Sequence, residues 1–122
     1  MKEKFIRVLK VQPQQHPEVF MLENKLEVMR TAVGGTIDIV TLDEHSCIVV
    51  NDEGKLIGLE GNRRIGNDVI VGDFFVCGSD EEGNLTSLTD EQMETYMALF
   101  YEPQEITEEE IQAKSGFIFY SF

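Results

Sequence analysis

The stretch Asp68-Val69-Ile70-Val71-Gly72-Asp73-Phe74-Phe75-Val76-Cys77-Gly78 decides how this chain can fold. Its apolar residues fall on both parities instead of alternating. A strand built from it therefore buries both faces, which suits the centre of a sheet. Gly72-Asp73 interrupts the run as a bulge or a close backbone approach would. Upstream, Asn51-Asp52-Glu53-Gly54 reads as a four-residue turn between the strand Cys47–Val50 and a second strand Lys55–Leu59, a hairpin. Thr36–Leu42 supplies a further strand. Lys4–Val11 and Glu18–Leu22, separated by a polar turn between Pro13 and Pro17, form another hairpin.

Three helices punctuate these strands. Asn24 with Glu27 makes a capping box ahead of Leu26, Met29, Arg30 and Val33, and Gly34-Gly35 supplies the left-handed C-terminus. Thr89 with Gln92 repeats the box before Met93, Tyr96, Met97 and Phe100, with Leu88 placed to staple onto Met93. Thr107 and Glu110 start a short acidic third helix, and the aromatic run Gly116–Phe122 closes the chain with strand character. The fold class is α+β, a mixed, mostly antiparallel sheet with two or three segregated helices. Residues 1–102 are expected as a single α+β domain, with 103–122 an acidic helix and aromatic strand packed on it.

A length of 122 residues fits one core, and 42% hydrophobic and 27% charged residues are ordinary for a globular chain. No apolar run approaches the ~20 residues that span a bilayer, and Met1–Phe5 lacks the apolar centre of a signal peptide. The expected location is the cytoplasm, with no membrane partner. Cys47 and Cys77 each sit in an apolar run and are expected as buried, reduced thiols. His16 and His45 form no ligand-spaced cluster with them, so neither a metal nor any other cofactor is expected.

The net charge of −13 is unevenly laid out. Residues 1–30 carry net +2, residues 31–79 net −5 and residues 80–122 net −10. Such a carboxylate surface repels nucleic acid, so no direct nucleic-acid partner is expected. It attracts basic protein surfaces, although plain solubility is also a sufficient reason for it.

Read in order, Ile6-Arg7-Val8-Leu9, Asn24-x-Leu26-Glu27, Val33-Gly34-Gly35-x-Ile37, Asn51-Asp52-Glu53-Gly54-Lys55, Asn62-Arg63-Arg64 and Asp68-Val69-Ile70-Val71-Gly72-x-Phe74-Phe75 resemble the family catalogued as domain of unknown function 3846, over residues 4 to 101. That resemblance implies a protein carried by phages, prophages and conjugative elements, and brings no activity with it.

Asn62, Arg63 and Arg64 are the candidate ligand-binding residues. They lie in a polar loop, Glu60–Asn67, with Gly61 and Gly66 near its ends to let a ligand approach the backbone. Guanidinium forks match phosphate or carboxylate bidentately. The alternative is an internal salt bridge to Asp68 or Asp73. His45, after Asp43-Glu44 and before Ser46, is read as an exposed turn residue, and no acid–base or nucleophile pair stands out, so no enzyme is expected. The leading functional expectation is a counter-defence protein that sequesters a small phosphorylated, nucleotide-derived immune signal. The alternative is an acidic inhibitor that occupies the basic, nucleic-acid-binding surface of a host defence protein. The terminal aromatics add the expectation of a homo-oligomer.

Overall fold

The computed structural model describes residues 3–119, with side chains through residue 113. Strands β1 (Phe5–Val11), β2 (Glu18–Glu23), β3 (Ile37–Asp43), β4 (Ser46–Asn51), β7 (Phe74–Ser79) and β8 (Leu85–Thr86) form one sheet in the order β2-β1-β7-β4-β3, with β8 beside β7. Strands β5 (Gly61–Ile65) and β6 (Asp68–Val71) form a separate two-stranded sheet. Every pairing among the described residues is antiparallel. With helices α1 (Leu26–Val33), α2 (Asp90–Leu99) and α3 (Glu108–Phe119), the protein is α+β.

The two-residue period of the strands divides the core. Ile6, Val8, Cys47, Val49, Phe75 and Cys77 face one way and are covered by Met29 and Val33 of α1. Leu9, Val11, Ile48, Phe74 and Val76 face the other way, against Met93 and Tyr96 of α2, Phe100 at its C-cap and Ile70 of β6. The central strands β4 and β7 are apolar on both parities because both of their faces are covered. Phe74 and Phe75 are fully buried on opposite faces, each contributing about 1.5–3 kcal/mol by its burial. A satellite core of Val69, Val71 and Ile111 seats α3 on the outer face of β6.

The run from Asp68 to Gly78 is two strands in two sheets instead of one interrupted strand. At Gly72, whose φ is +72°, the chain leaves the small sheet and enters the large one. A side chain there would also strike Leu59, at 2.7 Å from a Cβ. The expected hairpin at 47–59 does not form. The Asn51 side chain accepts the amide of Glu53 at 2.8 Å, and Ile57 and Leu59 donate to Glu53 O and Gly54 O, so the segment coils into helical turns. Leu56 and Ile57 are left exposed.

At α1 the N-cap is Lys25, which makes no side-chain cap. Asn24 is spent elsewhere, donating to Glu3 O and Leu85 O. Gly34 closes the helix in the left-handed region as its sequence requires. At α2 both halves of the Thr89–Gln92 box are present. At α3 the amide of Glu110 donates to Thr107 Oγ1 at 3.2 Å. The helix continues through Phe119, so Gly116–Phe119 is not the expected strand, and residues 120–122 lie outside the described residues.

Cys47 and Cys77 are free, buried and directly opposite each other in the β4–β7 register. Burial pushes the Cys47 thiol up to about 11 and raises Cys77 further still. Both thiols should therefore resist a disulfide reagent at pH 8 in the native protein and react only as fast as the sheet opens. Rapid stoichiometric labelling without denaturant would contradict this.

Candidate functional site

Asn62, Arg63 and Arg64 lie on strand β5, not in a loop. The loop is the two-residue connection Gly66-Asn67, with φ of +55° at Gly66 opening the β5–β6 hairpin. The β5–β6 register shifts between Gly61 and Arg63, so the side chains of Asn62 and Arg63 meet on the inner side while Arg64 turns outward. Asn62 is fully buried and donates to Val11 O at 3.0 Å and Gly72 O at 2.7 Å. Arg63 is also fully buried. Its Nε donates to Phe100 O at 3.0 Å, Nη1 to Asn62 Oδ1 at 2.8 Å and to Asn62 O at 3.2 Å, and Nη2 to Gln15 O at 2.6 Å. Burial lowers its pKa, yet a guanidinium starts so high that it stays charged. Neutral oxygens solvate this cation; among the described residues no carboxylate pairs with it.

Arg64 points outward and makes a two-bond fork to Glu110 at 2.7 and 2.8 Å, with further bonds to Gln104 Oε1 and Glu105 O. The Glu110 carboxylate raises the Arg64 pKa. Neither arginine reaches Asp68 or Asp73. Asp68 pairs with Lys55 at 2.5 Å, and Asp73 accepts from Gln12 at 3.4 Å. Gly61 serves the segment that crosses over it instead of a ligand, because a Cβ there would lie 2.7 Å from Ile106 Cβ.

A second polar group sits at the β3–β4 turn. Tyr96 donates its hydroxyl to Asp43 Oδ2 at 2.7 Å, so the Ser46 hydroxyl, 2.6 Å away and buried, donates to the Tyr96 oxygen. The Tyr96 hydroxyl and the backbone amide of His45 hold Asp43 below the usual carboxylate range. The imidazole of His45 is exposed, with Nε2 3.9 Å from the Glu44 carboxylate. Ser46 and His45 therefore form no nucleophile–base pair; the group ties α2 to the β3–β4 turn. Among the described residues no cluster of His, Cys, Asp and Glu has the makings of a metal site, and no helix is long and apolar enough to cross a membrane.

A shallow, acid-rimmed depression of about 570 Å³ adjoins the Tyr96–Asp43 group, and an apolar groove lies between β3–β4 and the β5–β6 hairpin. The groove has a volume of about 450 Å³. Val40, Ile48, Val50, Ile65 and Ile70 give it apolar walls, and Asp38, Asp52, Glu53 and the Lys55–Asp68 pair rim it. One long side is the edge strand β3, whose Ile39 and Val40 are 47% and 41% exposed. The sequence held a trace of it, since Ile37-Asp38-Ile39-Val40 places aliphatic residues on both parities of a strand that the structure leaves at the rim.

With this geometry in place, the family comparison is decisive. The family model described as Domain of unknown function (DUF3846) matches residues 6–101. The chain belongs to this family. No curated protein and no solved structure matches it. The DUF3846 span contains the whole groove and all of the acceptors of Arg63, from Gln15 to Phe100. It leaves out α3 and with it Glu110, the partner of Arg64.

Two outcomes follow. Replacing Arg63 by Ala removes four hydrogen bonds and strands buried carbonyl oxygens, and should cost about 3–5 kcal/mol in a urea melt. Arg64→Ala, at the exposed surface, should move the midpoint far less; equal losses would refute the assignment of roles. Tyr96→Phe tests the second group. The lowered pKa of Asp43 means that its charged form favours the fold. That stabilisation is complete above the unfolded aspartate pKa of about 4 and disappears as pH falls through the lowered folded value. Melts from pH 7 to pH 2 should show the wild-type advantage over Tyr96→Phe, on the order of 1 kcal/mol after solvent screening, shrinking toward the acid end.

Proposed function

We propose that this DUF3846 protein binds another protein through its carboxylate surface and occupies a basic region of the kind that holds nucleic acid, as an inhibitor of a host defence protein carried by a mobile element would. One observation carries the reading: the arginines of the β5–β6 hairpin are enclosed or paired, while carboxylates of the C-terminal third stand at the surface outside the ion pairs. Arg63 is enclosed, and Arg7, Lys55 and Arg64 are paired to Asp90, Asp68 and Glu110. Glu81, Glu82, Glu91, Glu94, Glu108 and Glu109 are exposed and belong to no ion pair among the described residues. Field lines from such a surface steer a basic partner and repel nucleic acid.

Sequestration of a phosphorylated signal by Asn62, Arg63 and Arg64 has a structural cost that this reading lacks. An anion would have to displace Phe100 O, Gln15 O and Asn62 Oδ1 from Arg63, or Glu110 from Arg64. Competition separates the two readings. A small basic DNA-binding protein is loaded on a fluorescein-labelled duplex and titrated with this chain. The duplex should be released, with potency falling steeply as salt rises from about 50 to 200 mM. Glu91→Lys with Glu94→Lys should weaken release, and polyglutamate of matched charge should be less potent than the folded protein. Absence of release at low salt, together with a higher melting temperature in a cyclic dinucleotide, would return the function to ligand sequestration.

A further inference from the structure

We infer that the free edge of β3 is a docking site for an extended, basic segment of a partner protein, which adds to the sheet as a seventh strand and seats aliphatic side chains in the adjoining groove. This deepens the proposed function and rests on it.

The backbone comes first. Asp52 donates its amide to Thr36 O at 2.8 Å, so Thr36, Asp38 and Val40 turn their backbone groups toward β4. Ile37, Ile39 and Thr41 then turn theirs away from it. The amide of Ile39 is held by the side chain of Asp38 at 2.9 Å, a local bond at the exposed rim. β3 ends the strand order, and the side chains of residues 38–41 are all exposed. An edge of this length, whose Ile37 and Thr41 backbone groups turn outward and whose Ile39 amide is held only by its neighbour's side chain, is a template for strand addition.

Side chains select the occupant. On the groove face, Val40 lies beside Ile48 and Val50, an apolar floor next to the open edge. Carboxylates bracket β3 at both ends: Asp38, Asp52 and Glu53 at its start, Asp43 and Glu44 at its finish. From Asp38 to Asp43 a strand covers roughly 17 Å. The matching segment therefore has β-branched or aliphatic residues in its middle and Lys or Arg at both ends. A second copy of this chain fits badly. Antiparallel pairing of two β3 strands about Thr41 sets Asp38 opposite Glu44, and each copy carries net −13.

The probe is a labelled peptide, Lys-Lys-Val-Ile-Val-Thr-Lys-Lys, compared with the same peptide carrying Pro in place of Ile. Anisotropy should show the first binding at least about tenfold more tightly, because Pro cannot donate to a ladder. Hydrogen exchange on the complex should show new protection at the amides of Ile39 and Thr41. Thr41→Pro should abolish that preference. Asp38→Lys, which keeps every ladder donor though it frees the Ile39 amide, should weaken binding by a similar factor through charge, and it keeps the test open if Thr41→Pro fails to fold. Equal binding of both peptides without new protection would overturn strand addition while leaving the acidic-surface reading intact. So would duplex displacement by a protein that binds neither peptide. Failure of both displacement and peptide binding would bring down the parent reading as well. Self-association of the chain with Thr41 already protected would give the edge to a second copy and overturn the inference.

Discussion

A buried cation held by backbone carbonyls, with no carboxylate partner among the described residues, keeps this molecule in shape. Desolvating a guanidinium costs several kcal/mol, and a partner carboxylate is the usual offset. Here the offset comes from carbonyl dipoles of the 12–15 turn and the end of α2, with the Asn62 side chain as a third wall. Each is a charge-assisted bond, roughly twice as strong as its neutral counterpart. The turn is itself shaped for this: Pro13 precedes Gln14, which sits at φ +67°, the position that type II turns usually give to glycine. Gln15 O is delivered to Arg63 from that strained corner. Without Arg63 the β5–β6 hairpin would be left to Asn62 and the packing of Ile70 to fix it over the large sheet, and the groove wall would loosen.

Charge and burial are thus divided between two surfaces of the same hairpin. Its inner face uses polar atoms to close the fold, and its outer face carries Arg64 to α3. What remains for solvent and partners is acidic almost everywhere in the C-terminal third. The groove differs from that general surface in having an apolar floor and an open strand edge, so charge can orient a partner there while backbone pairing fixes its register.

Much of this was legible in the residues. Phe74 to Cys77, apolar on both parities, announced a central strand, and Gly34 and the Thr89–Gln92 pair marked helix ends through local chemistry that tertiary packing did not override. Three of the misreadings share one cause, a polar side chain claimed by a distant acceptor. Asn24 looks like a cap until Glu3 and Leu85 carbonyls take its amide. Asn51-Asp52-Glu53-Gly54 looks like a hairpin turn until Asn51 bonds Val33 O and caps helical turns instead. Asn62-Arg63-Arg64 looks like an exposed anion site because its acceptors, Gln15 O and Phe100 O, are backbone atoms 48 and 37 residues away. Backbone carbonyls leave no residue-type signature, so spacing could not reveal them. The groove was hidden for a related reason: it exists only where two sheets meet.

The enclosed guanidinium also constrains the order in which the molecule assembles. A half-satisfied buried charge is worse than a hydrated one, so intermediates with one acceptor in place gain nothing over those with none. The turn, the hairpin and the end of α2 must close on Arg63 nearly together, after the large sheet has set the distance between them. They then form one cooperative unit that opens as a whole, and a partner gripping β3 would feel that opening only through the wall the hairpin lends to the groove.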